Sequence, residues 1–287
     1  MVYSDTTRDV TLESLTLLSQ TELDCLRVVL VEPRNPLNIG AAARAMSNFG
    51  FRQLRVVMPY EKAFREARSA VGAADILTEA QEFGSVAEAV ADCTLVIGAT
   101  AARRRELRHP VLRVEQAAPL LREHILQRPA ALLFGTEKYG LSRDDLSFCH
   151  SLMTIETPGT NPSLNLGQAV AVCLHEMVRE ASDRAGTGVP KETAEEAKEI
   201  EPEDKLEPAS SGEVERVTEV LFDVLRDTRY WNPGSGATTE QKVRRLVRRL
   251  NLSAEDAEVV LGMLRQILWK IRLGGKKVVG DRPPGNV

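Results

Sequence analysis

Five short apolar runs, each leading into a stretch with helical spacing, constrain this chain more than any other feature of its sequence. The runs are LRVVLVE (26–32), QLRVVMP (53–59), TLVIGAT (94–100), AALLFGT (130–136) and SLMTIET (151–157). Each is rich in Val, Ile and Leu and nearly continuous, so both faces of such a strand need cover. Helices are predicted between them at about 38–49, 61–69, 85–92, 114–127 and 142–148, and SLNLGQAVAVCLHEMVREA (163–181) closes the series. Alternation of this kind implies an α/β fold with a mainly parallel sheet flanked by helices.

The pattern then changes. Residues 182–210 are charged, carry Gly and Pro and almost no aromatics, which reads as an acidic linker. From 211 to 287 the spacing is helical only, with helices predicted near 211–228, 239–250 and 253–272 and no strand signal. The chain therefore divides into an N-terminal tail (1–25), an α/β domain (26–181), the linker, and a small all-helical module.

Several classes are disfavoured. With 287 residues and 43% apolar content, the chain buries a sizeable core. It has no run near the roughly 20 apolar residues that a membrane-spanning helix needs, and the acidic-polar N-terminus lacks the look of a secretory signal. A cytoplasmic protein without membrane association is expected. Cys25, Cys93, Cys149 and Cys173 lie far apart, with no C-x-x-C and no paired histidines, so no protein-bound metal is expected. The net charge of −4 hides an uneven spread, since 191–207 alone has eight acidic residues against three lysines. Local basic patches remain open for a polyanion.

Three segments carry chemistry. In EPRNPLNIGAAARAMSNFG (32–50), Asn38 is a candidate helix cap, Gly40 permits close approach, and Arg44 follows Asn38 by about one and two-thirds turns. FGTEKYGLS (134–142) approaches a P-loop but has Leu141 where the lysine belongs, so a nucleoside triphosphatase is rejected. In IETPGTNPSLNLGQAVAV (155–172), prolines stiffen a loop after the last strand, Ser163 or Asn161 is a candidate cap, and Asn165 lies in the first turn. Each segment alone also reads as an ordinary strand-to-helix connection.

In order, N-x-G-x-x-x-R, F-G-x-E-x-x-G-L and I-x-x-P-(x4)-S-L-N-x-x-x-A resemble the SPOUT methyltransferases. Within them the chain is most similar to the TrmH family and its TrmJ subgroup, over about residues 25–181. GATAARRRE (98–106) resembles a subgroup segment too, with Ala101 where that segment has Ser. The resemblance implies a trefoil-knotted sheet, S-adenosylmethionine as methyl donor, and a homodimer that completes each site. It carries the cofactor contacts onto Thr100, Ala101, Ala102, Gly135, Ile155, Pro162, Ser163 and Leu164. Arg44, Ser163, Asn165 and Asn38 become the catalytic set, with Arg44 stabilising developing charge and Glu137 structural.

The implied substrate is tRNA, at the ribose of nucleotide 32, with ribosomal RNA as the nearest alternative and a catalytically silent RNA-binding protein as the next. Arg103, Arg104 and Arg105 beside the cofactor loop are expected to touch RNA. So are Lys242, Arg244, Arg245, Arg248 and Arg249, which alternate with apolar residues in the helical extension. Cys149-His150 is assigned to packing.

Overall fold

A computed structural model of the chain describes residues 18–60, 64, 74–101, 108–158, 163–179, 206–230 and 236–277. Among these the α/β unit contains α1 (Gln20–Leu23), β1 (Leu26–Val31), α2 (Pro36–Asn48), β2 (Leu54–Val57), α3 (Ala74–Glu79), β3 (Gln81–Phe83), α4 (Val86–Ala89), β4 (Leu95–Ala99), β5 (Val111–Arg113), α5 (Val114–Ile125), β6 (Ala130–Phe134), α6 (Arg143–Ser147), β7 (Ser151–Thr154) and α7 (Leu166–Val178). The helical unit contains α8 (Ser211–Asp227), α9 (Gly236–Arg248) and α10 (Ala254–Lys277).

The described strands form one seven-stranded sheet in the order β3-β2-β1-β6-β4-β7-β5, and every pairing is parallel. All five apolar runs are strands, as their composition requires. Two strands had no such signal: β3 and β5 have three residues each, sit at the sheet's edges and are largely exposed. Of the helix predicted at 61–69, only Phe64 is among the described residues, and it is buried. The tail at 1–17, the linker at 180–205 and the last residues from 278 likewise lie outside them.

Two apolar layers cover the sheet. On one face α2, α5 and α7 enclose Leu26, Leu30, Ile97, Leu132 and Met153; on the other α4 and α6 enclose Val29, Val31, Val96, Leu133 and Leu152. Each fully buried aliphatic side chain contributes on the order of 1.5–3 kcal/mol. α2 and α7 approach closely because the contact is made of Ala41 and Gly167, where a Cβ on Gly167 would fall 2.5 Å from that of Ala41. At the opposite end from the strand exits, Asp92 joins Arg27 on β1 to Arg55 on β2. Desolvation opposes its charge, yet the two guanidiniums hold its carboxyl down at about 2.

The ends of the predicted tail and of the predicted linker are structured. Ser19 caps α1 with a capping box inside the predicted tail. Residues 206–210 dock: Ala209 N–H donates to the Leu252 carbonyl, and Arg128 pairs with Glu207 at 2.9 Å. The N–H groups of Ser211 and Gly212 then donate to the carbonyls of Cys93 and Ala91, seating the start of α8 on the α/β unit. The helical unit has its own core of Val214, Val217, Val247 and Ala257.

Candidate active site at the strand exits

β6, β4 and β7 are neighbours, so their C-terminal ends open side by side, where open parallel sheets bind ligands. A pocket of about 280 Å³ occupies this position. Its walls are Ala99–Ala101 after β4, Phe134–Leu141 after β6, Met153 and Ile155 at β7, and Ser163, Leu164, Leu166 and Ala169 leading into α7. Thr100, Ala101, Gly135, Ile155, Ser163 and Leu164, all expected from the sequence, line it together. Ala102 and Pro162 lie outside the described residues. The apolar lining residues Ala99, Phe134, Met153 and Leu166 were missed, and their only sequence signal was membership of a buried strand or helix face; Ala169, which closes the third motif, was given no contact.

The β6 exit is a closed turn. Gly140 N–H donates to the Thr136 carbonyl at 2.8 Å, and Tyr139 N–H to the Thr136 hydroxyl at 3.1 Å. Gly140 has φ +67. A Cβ on Gly135 would lie 2.0 Å from the Gly140 carbonyl carbon and 2.1 Å from the Leu141 nitrogen, so no other residue fits there. Leu141, in the P-loop lysine's place, is buried beneath the turn.

Glu137 leaves this turn and ties it to the β1 exit. Its carboxylate accepts from the backbone N–H groups of Arg34 and Asn35 at 3.4 and 3.0 Å, and from Asn38 Nδ2 at 3.3 Å. The Asn38 side-chain oxygen Oδ1 in turn accepts from Asn165 Nδ2 at 2.6 Å. One hydrogen-bonded chain, Glu137–Asn38–Asn165, therefore joins the loops after β6, β1 and β7. The caps differ from expectation. Asn35 caps α2, its side chain accepting from Leu37 N–H, with Pro36 in the first turn. Asn165 caps α7, its side chain accepting from Gly167 N–H, and neither Ser163 nor Asn38 is a cap. Asn38 and Asn165 are thereby free to use their remaining amide atoms on each other.

Arg44 stands apart from this assembly. It is exposed on α2 and is not part of the pocket wall. It shares a helix face with Leu37, which is 80% exposed, and with exposed Ala41. The Cys149-His150 pair is structural: His150 Nδ1 accepts from Val96 N–H at 3.0 Å, and burial followed by Arg248 lowers the imidazole to about 4. Burial pushes the Cys149 thiol up to about 12.

The basic residues of the helical unit separate into two sets. Arg244 and Arg248 face inward. Arg244 pairs with Glu215 at 3.0 Å, hydrogen-bonds the Ser147 hydroxyl and stacks over Phe148. The Arg248 side chain is 2% exposed and pairs with the same Glu215 at 3.2 Å. These two are therefore corrected: they are consumed at the junction between the units and present no charge to RNA. Lys242 and Arg249 are exposed, and Arg245 is half-buried. Arg103, Arg104 and Arg105 lie outside the described residues.

The SpoU rRNA Methylase family model matches residues 25–175. A tRNA (cytidine/uridine-2'-O-)-methyltransferase TrmJ from Pectobacterium atrosepticum is 32% identical over 246 residues, 85% of this chain and 97% of that protein. The crystal structure of TrmJ from Z. mobilis ZM4 is similar with a TM-score of 0.69 and 30% identity, over 84% of this chain and 98% of the other. A probable methyltransferase from Bordetella pertussis Tohama I, 31% identical with a TM-score of 0.51, covers 56% of this chain and 98% of its own.

Proposed function

The chain belongs to the SpoU rRNA methylase family, and we propose that it is an S-adenosylmethionine-dependent methyltransferase acting on a ribose 2'-hydroxyl of tRNA. The finer reading is nucleotide 32 of the anticodon loop, with cytidine, uridine or both as the base. The observation that carries it is the pocket at the β4, β6 and β7 exits, bounded by the motif residues and bound to α2 through Asn38 and Asn165. Similarity to TrmJ proteins along the helical unit as well as the α/β unit supports tRNA over ribosomal RNA.

The donor set suits the cofactor. Most of the wall is apolar, Thr100, Thr136 and Ser163 add hydroxyls, and the missing Cβ of Gly135 lets the β6 turn close against Gly140 and Leu141 beside the cleft. When bound, the cofactor supplies a methyl group already activated by positive sulfur. Thr100, Ala101, Ala102, Gly135, Ile155, Pro162, Ser163 and Leu164 hold it; Ser163, Asn165 and Asn38 orient the nucleotide. The Arg44 guanidinium donates hydrogen bonds and accepts none. Its part is to grip the ribose or the adjacent phosphate and to stabilise negative charge growing on the oxygen.

Since Arg44 lies outside the pocket of its own chain, the reading includes a homodimer packed on the exposed α2 face, with Leu37 and Ala41 covered beside Val172 of α7. It also includes a trefoil knot within the methyltransferase domain (26–181). The insertion of β6 and β7 among earlier strands supports the knot.

Incubation with labelled cofactor and total tRNA, followed by mapping of the methylated ribose, tests the assignment. Methyl incorporation into ribosomal RNA but not tRNA overturns the substrate, and RNA binding with no transfer favours a silent binding protein. Arg44→Ala is expected to bind adenosylhomocysteine normally while kcat falls ~100-fold or more; undiminished turnover removes Arg44 from the reaction.

A further inference from the structure

α9 and the residue just after it carry two arginine pairs at i, i+4 spacing with opposite surroundings. Arg244 and Arg248 are satisfied by Glu215. Arg245 and Arg249 have no carboxylate partner among the described residues, and they face the α/β unit's own free cations. The packing explains why. Arg244 reaches Asp144 at 3.6 Å and Ser147 at 3.3 Å, which lays α9 along α6. Arg143, the first residue of α6, is exposed on that side.

Arg108 arrives at the same place from the β4–β5 connection. The next residue, His109, anchors it there: its ring donates to the Leu146 carbonyl at the end of α6, and its Nε2 is buried with no partner. Burial, then the charges of Arg245 and Arg249, lower His109 to about 4, so it stays neutral. Burial lowers Arg245 as well, and the charges of Arg108, Arg249 and Arg143 lower it further. Four guanidiniums from two units thus crowd one another, with no carboxylate paired to any of them among the described residues. Such an arrangement is self-repelling until an anion arrives.

The shape of the cluster selects the anion. It is elongated, spanning a loop, the start of α6, and the last turn of α9 with the residue after it. In sequence, Arg108 lies three residues after Arg105, past Glu106 and Leu107, and the run Arg103–Arg105 leads back to Ala101 at the pocket wall. A polymer with regularly spaced single negative charges matches this; a single phosphate or a compact nucleotide does not. We propose that Arg108, Arg143, Arg245 and Arg249 form one binding surface for the phosphodiester backbone of the substrate RNA, built half by each unit. This rests on the RNA reading above, and it replaces Arg244 and Arg248 as the contacts of the helical unit.

The test uses the full chain, an unmodified tRNA transcript, and adenosylhomocysteine as a probe of the fold. Affinity is measured against salt. With about 0.7–0.9 of log-log slope per phosphate contact, the fourfold alanine variant is expected to lose about 3 in slope. It is also expected to bind ~100-fold more weakly, with a raised KM for tRNA and unaltered adenosylhomocysteine affinity. The paired variants Arg108→Ala with Arg143→Ala, and Arg245→Ala with Arg249→Ala, are each expected to lose about half of that slope. Fourfold replacement by lysine keeps most of it, because charge rather than fork geometry dominates backbone binding. A wild-type slope in the fourfold variant overturns the surface and leaves the methyltransferase reading standing. Loss confined to the α9 pair overturns its joint construction. A wild-type protein that methylates no RNA overturns the reading beneath both.

Discussion

The pocket and the junction between the units hold their geometry by opposite means. At the pocket, position is set by backbone and hydrogen bonds: a glycine with no room for a Cβ, a turn closed on itself, and one carboxylate and two side-chain amides passing hydrogen bonds from loop to loop. At the junction, position is set by charge. One buried glutamate holds two arginines, with an aromatic ring beneath them. The first kind of site tolerates almost no change in residue type at its tight points. The second tolerates exchange of similar groups but not loss of one charge. A region built to fold around a ligand and a region built to lock two units together thus fail differently.

That contrast breaks most visibly at Gly135. Gly135→Ala sets a Cβ into the backbone of Gly140 and Leu141, which no rotamer relieves; methyl transfer is expected to fall by ~10⁴-fold or more, about 5 kcal/mol. Adenosylhomocysteine calorimetry and turnover check it, and a functional variant shows that the turn is softer than described. Glu215→Gln probes the other side. It leaves Arg244 and Arg248 buried without a counter-charge, at an expected cost of about 3–5 kcal/mol, read by urea unfolding. Since Arg248 already has two nitrogens without hydrogen-bond partners, replacing Arg248 by Met together with Glu215→Gln is expected to recover part of that loss.

Acid sharpens the comparison last. His150 lies behind the junction and has its pKa lowered from 6.5 to about 4, so the unfolded chain takes up the proton first. Its contribution is complete above pH 6.5 and is lost as pH falls toward about 4, a change of about 3 kcal/mol at the limit. Unfolding midpoints measured across that window are expected to decline. A flat profile shows that His150 does not hold its proton off in the folded state.

The sheet was largely legible because buried parallel strands must be apolar along their whole length, and all five such runs are strands. β3 and β5 escaped because an exposed three-residue edge carries no such requirement. At the pocket, glycine and asparagine positions were readable, since few residue types satisfy their geometry. The cap of α2 was misplaced between two asparagines three apart, although Pro36 after Asn35 marks the helix start. The division of the α9 arginines was beyond sequence. All four lie on or just after one basic helix, and only Glu215, 29 residues before Arg244, separates them. Nothing local announces such a partner.

β6 lies between β1 and β4, although both precede it in the chain, and β7 likewise separates β4 from β5. During synthesis, the first hundred residues emerge with their middle strand still to come. Two apolar edges then stay unpaired until residues 130–134 and 151–154 leave the ribosome. Contacts that span so much sequence form slowly, and half-built sheets with open edges tend to associate. Chain release before about residue 155 therefore yields a sticky fragment rather than a smaller stable protein.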